Sequence, residues 1–169
     1  ADVTIECDES TATTNTGNAT ATDNCDSNPV ITNSESSNQT SDGSCTDFSY
    51  TITRTFSVSD ACSNSTSCNQ TITVEDTTGP ILVGVPAAIT VECDGVPSVA
   101  TVTATDNCDT NPITVSSNDV IVTGSCTGAY TINREFTASD DCGNVTTSTQ
   151  VITVEDTTGP ILVGVPAAI

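Results

Sequence analysis

The chain has 169 residues and carries 22 acidic side chains against 2 basic ones, a formal net charge of −20 at pH 7. That charge repels nucleic acid and acidic membranes, so neither is a partner. His, Lys, Met and Trp are absent, which removes the usual general base, amine nucleophile and nitrogen metal ligand and points away from an enzyme. Hydrophobic residues make up 35% and aromatics 3%, enough for only a thin core of Val, Ile, Leu and a few rings. Nine cysteines are the evident supplement, and they place the chain in an oxidising, extracellular setting. It contains no signal peptide or membrane-spanning run and is read as a mature product or an excerpt of a longer secreted protein.

The segment Ile72 to Ile89 returns unchanged as Ile152 to Ile169. Val3-Thr4-Ile5-Glu6-Cys7 likewise matches Ile89-Thr90-Val91-Glu92-Cys93, and Tyr50-Thr51-Ile52-Thr53-Arg54 matches Tyr130-Thr131-Ile132-Asn133-Arg134. Two homologous domains follow, residues 1–76 and 77–158, with 159–169 opening a third unit. The first lacks the counterpart of Ile81 to Pro86, so 159–169 is either the first strand of a following repeat or a donor strand for another chain. Asp76-Thr77-Thr78-Gly79-Pro80 is the joint, because Pro80 cannot donate to a ladder and Gly79 frees the backbone.

In the second repeat the alternating runs are Ile81 to Val85, Ile89 to Glu92, Val99 to Thr105, Ile113 to Ser116, Val120 to Thr123, Tyr130 to Ala138 and Val145 to Val154. Thr and Val dominate, turn formers fill the gaps, and helical period is lacking. The expected fold is all-β: tandem immunoglobulin-like antiparallel sandwiches of about seven strands each. Alternating strand directions place Cys108 and Cys142 at the head of the second unit, and Cys93 and Cys126 at its tail. The bridges expected are therefore Cys108–Cys142 and Cys93–Cys126, and in the first repeat Cys25–Cys62 and Cys7–Cys45. Four cysteines allow three pairings, and the others stay open. Cys68, matched by Ser148, is left over as a buried or unreactive thiol, an intermolecular bridge or a local partner of Cys62. Arg54 and Arg134 lie on inward faces and need a carboxylate or several carbonyls, with Glu6 and Glu92 as candidates.

Acidic residues gather at the joint. Glu75 and Asp76 leave the first unit where the second presents Asp106, Asn107, Asp109, Asp140 and Asp141. Calcium takes six to eight oxygens and suits Asp- and Asn-rich loops, so Ca2+ is the expected cofactor. Asp23, Asn24, Asp26 and Asp60 are the equivalent set in the first repeat. The competing reading is Asx turns and solvated charge, and no EF-hand pattern is present. Asn18, Asn38, Asn64, Asn69 and Asn144 begin Asn-x-Ser/Thr sequons. Asp76-Thr77-Thr78 resembles the short Asp-Thr O-glycosylation motif of Bacteroidota surface proteins, making Thr77 and its repeat Thr157 candidate acceptors.

Thr-Asp-Asn-Cys-Asp, Gly-Ser-Cys-Thr-Gly-x-Tyr-Thr-Ile, Ser-Asp-Asp-Cys-Gly-Asn and Val-Glu-Asp-Thr-Thr-Gly-Pro together resemble hyalin-repeat-like immunoglobulin-fold modules. Family members usually have Ala-Pro at Gly79-Pro80. The resemblance implies an extracellular spacer, adhesin or filament on a cell surface. The structural reading is a rod of head-to-tail units whose partners are copies of itself. The alternative is an adhesive module that holds a glycan or another surface.

Overall fold

The structure, a computed structural model, describes residues 1–164. It is all-β apart from two short helical turns. In the first repeat, β1 (Val3–Glu6), β2 (Val30–Ser37), β3 (Tyr50–Ser59) and β4 (Ser65–Glu75) form a sheet in the order β1-β4-β3-β2. The second repeat adds β5 (Ile81–Val83), β6 (Ile89–Glu92), β7 (Thr103–Thr105), β8 (Val115–Thr123), β9 (Tyr130–Ser139) and β10 (Val145–Glu155). Its main sheet runs β6-β10-β9-β8, and β5 pairs with β7 in a separate two-stranded sheet.

Four features differ from the sequence expectation. The first repeat has four strands and the second six, where about seven each were expected. The strand that opens each main sheet pairs parallel to the last one, with Glu6 opposite Glu75 and Glu92 opposite Glu155. The expected runs 113–116 and 120–123 join in one strand, β8, because Asp119 stands in register with Arg134 and pairs with it instead of turning. The first repeat has one helical turn at Thr13–Thr16 and a 3-10 turn at Cys45–Asp47 where the second has none.

Period-2 burial builds the core. Ile52, Arg54 and Phe56 alternate inward along β3, and Ile72 and Val74 along β4. The cores are small, as composition requires: Ile5, Ile52, Ile72 and Val74 in one repeat, and Ile132, Ile152 and Val154 in the other.

Arg54 and Arg134 supplement them. Arg54 is 1% exposed, and its Nε donates to Glu35 Oε1 at 2.7 Å. Its other nitrogens donate to Thr16 Oγ1, Gln70 Oε1 and the Thr11 carbonyl. Arg134 grips Asp119 through two nitrogens at 2.8 and 2.9 Å and donates to the Pro97 and Ser98 carbonyls. The acidic partners are thus cross-strand neighbours Glu35 and Asp119, not Glu6 and Glu92, which lie at the strand ends. Each arginine ties the irregular segment that covers its sheet to the sheet itself.

Candidate metal centre at the joint

The chain direction within each sheet brings four cysteines to the joint. Cys7 follows β1, its N–H donating to the Glu75 carbonyl, while Cys45 lies just ahead of Ser49, whose Oγ accepts from the Asp76 N–H at 3.0 Å. On the facing side, Asp109 accepts from the Asp141 N–H, which holds the Cys108 and Cys142 loops together. The sequence therefore assigned these cysteines to the correct ends. Their partners are different: Cys7 bonds to Cys108 and Cys45 to Cys142, with Cα separations of 6.0 and 4.5 Å. The expected Cys7–Cys45 and Cys108–Cys142 bridges do not form, because each pair faces the abutting end of the other repeat.

Cys25, Cys62, Cys93 and Cys126 are exposed free thiols, so the expected Cys25–Cys62 and Cys93–Cys126 bridges are absent as well. Cys68 is also free and exposed, contrary to the reading as a buried thiol and to a local bond with Cys62.

Asp76, Asp106 and Asp140 converge between the two bridges, each offering a carboxylate oxygen within 4.8 Å of the others. Strand alternation turns Val74 and Asp76 inward and leaves Glu75 outside. Asp106 caps its own loop, its Oδ1 accepting from the Cys108 and Asp109 N–H groups. Asp140 accepts from the Asn144 N–H at 2.8 Å and from Asn144 Nδ2 at 2.9 Å. Asp76 Oδ2 and Asp106 Oδ2 are buried and receive no hydrogen bond among the described residues.

Glu6, brought alongside by the parallel β1–β4 pairing, is a fourth acid beside Asp76, and it was not among the residues expected here. It accepts from the Thr77 hydroxyl and N–H. Burial first, then the charges of Asp106, Asp140 and Glu6, push the Asp76 carboxyl up to about 6.

The other expected residues fall outside this cluster. Asp109 is buried, but both its oxygens accept from loop N–H groups. Asp141 accepts from Asn111, and exposed Asn107 points its amide nitrogen at Cys7 Sγ. Asp23, Asn24, Asp26 and Asp60 form the same loops at the head of the first repeat, with no Asp76 counterpart facing them among the described residues. Asn18, Asn38, Asn64 and Asn69 are exposed. Asn144 differs, because its Nδ2 donates both to the Asp76 carbonyl and to Asp140, and a glycosylated nitrogen retains only one hydrogen. The Thr77 and Thr157 hydroxyls donate to Glu6 and Glu92.

The donor set decides which ion fits. Cys7 and Cys108 are spent in a disulfide, so the cluster offers only carboxylate oxygens, a hard and flexible set suited to calcium. The two arginines are engaged elsewhere, and the orphaned oxygens fit a cation that supplies what no hydrogen-bond donor does.

Fold and site together define an all-β protein of two disulfide-linked repeats with an acidic, buried joint. No family model matches the chain, and no curated protein matches it. Among solved structures, the crystal structure of human protocadherin-24 EC1-2 aligns with a TM-score of 0.33 at 17% identity, covering 64% of this chain and 67% of that chain. Among the described residues no helix is long and apolar enough to cross a membrane.

Proposed function

We propose that the chain is an extracellular structural module, a stiff spacer in which residues 1–76 and 77–158 are successive units locked at their joint. The observation that carries this reading is the pair of bridges across the joint, Cys7–Cys108 and Cys45–Cys142. Two covalent links flanking one contact suppress hinge motion that a single linker peptide would permit. Calcium held by Asp76, Asp106 and Asp140, with Glu6 beside them, neutralises the repulsion at the contact and adds a third tie. Disulfides of this kind persist in an oxidising setting outside the cell. The exposed sequons at Asn18, Asn38 and Asn69 suit such a surface.

Small-angle scattering tests the reading. In oxidising, calcium-containing buffer the curve should fit one rigid two-unit particle, and reduction together with chelation should add bending at the joint. A chain equally flexible before and after that treatment contradicts the spacer function.

A further inference from the structure

We propose that the joint is reproduced between copies of this chain: Ile161–Val163 of one copy fills the groove along Thr20–Thr22 of the next, while Cys93 and Cys126 of the first bond to Cys25 and Cys62 of the second. The proposal deepens the spacer reading and rests on it.

The leftover thiols carry the first part. Cys93 and Cys126 occupy the positions of Cys7 and Cys45, and Cys25 and Cys62 those of Cys108 and Cys142. All four are exposed and unbonded, so the chain presents one spare half of the same double bridge at each end. The acidic parts are split the same way. Glu92, Cys93 and Asp156 gather at one end, while Asp23 caps its loop at the other just as Asp106 does, accepting from the Cys25 and Asp26 N–H groups at 2.9 and 2.8 Å. Asp76, Pro80 and Cys108 are buried at the joint already formed; Asp156, Pro160 and Cys25, their counterparts, are exposed.

The groove carries the second part. Thr103-Ala104-Thr105 pairs with β5, and in the same repeat Phe136 and Ala138 are each 1% exposed. Thr20-Ala21-Thr22 repeats that sequence, yet no strand pairs with it among the described residues. It borders instead an open groove of about 320 Å³ over Phe56, Val58 and Cys68. Ile161, Leu162 and Val163, identical in sequence to β5, stand 86, 87 and 90% exposed. The two mating surfaces differ, so the contact is heterologous and the assembly open-ended. The inserted strand also covers Cys68.

Each bridge forms by thiol–disulfide exchange with a low-molecular-weight disulfide such as oxidised glutathione. One protein thiolate takes up a glutathionyl group and releases glutathione; the partner thiolate then displaces the second glutathione. Per bridge, two thiols lose two electrons and two protons, and one oxidised glutathione becomes two glutathione thiols.

The test is to equilibrate chain 1–169 in a glutathione redox buffer, run it unreduced, and map its linked peptides by mass spectrometry. The expected result is a ladder in 17.2 kDa steps with Cys93–Cys25 and Cys126–Cys62 peptides, and loss of that ladder on truncation to residues 1–158 while Cys7–Cys108 persists. Cys25–Cys62 and Cys93–Cys126 bonds within one chain, or those four thiols left reduced, would overturn the proposal and leave the spacer reading standing. A truncated chain that ladders equally well would overturn the groove's part. Absence of Cys7–Cys108 and Cys45–Cys142 themselves would instead remove the spacer reading.

Discussion

Asp76 and Asp106 meet at the joint with one buried carboxylate oxygen each that receives no hydrogen bond. Like charges placed this way oppose folding unless a proton or a cation sits between them.

The pH dependence follows from Asp76. Its folded carboxyl titrates at about 6 against an ordinary value of 3.8. The folded chain therefore retains a proton that the unfolded chain releases. The contribution favours folding below about pH 3.8 and is lost as pH rises through about 6, amounting to about 3 kcal/mol. In chelator, melting temperature should fall over that window, and Asp76→Asn should flatten the fall. Calcium competes with the proton, so it should raise the melting temperature by several degrees at about pH 7.5 and have little effect near pH 5. Asp76→Asn should abolish the calcium response. Melting curves with calcium and with chelator, across pH, check all three.

Arg54 and Glu35 are unequal partners. Arg54 is buried, whereas the Glu35 side chain is 43% exposed. Glu35→Gln leaves an amide oxygen as acceptor but takes the counter-charge from a buried guanidinium, and should cost roughly 1–2 kcal/mol. Arg54→Lys keeps the charge but strands the Thr11 carbonyl and Gln70, and should cost roughly 2–3 kcal/mol. Urea unfolding of the two variants measures the difference.

Gly79, in the joint peptide, passes close to β10, where an added Cβ would lie 2.9 Å from Thr146 Oγ1. Gly79→Ala should cost roughly 1–3 kcal/mol by prying at that contact. Thr146→Ala should relieve most of the penalty in the double variant, which a double-mutant cycle reads directly. Gly159→Ala, whose Cβ meets nothing within 4 Å, is the matched control and should be near neutral.

The repeat, the thin alternating core and the end of each unit at which the four cysteines of the joint lie were legible in the residues. Pairing was not, because alternation fixes the direction of a strand and says nothing of which surface abuts its end. The same limit separated Glu75 from Asp76: adjacent residues on a strand face opposite ways, and only Asp76 turns into the joint. Glu6 was expected beside Arg54 and not at the joint, because its place depends on the parallel pairing of β1 with β4, a long-range relation. The break expected between residues 116 and 120 dissolved because Asp119 found Arg134 across the sheet.

Force-extension of the single chain, held at its two ends, tests the cross-joint pairing most directly. With Cys7 bonded to Cys108, load bypasses the intervening chain, so reduction should lengthen the stretched molecule by the 101-residue separation of that bridge, at roughly 3.3–3.6 Å per residue. Lengthening in two shorter and independent steps, one from each repeat, would mean that every bridge closes within its own unit and would contradict the account.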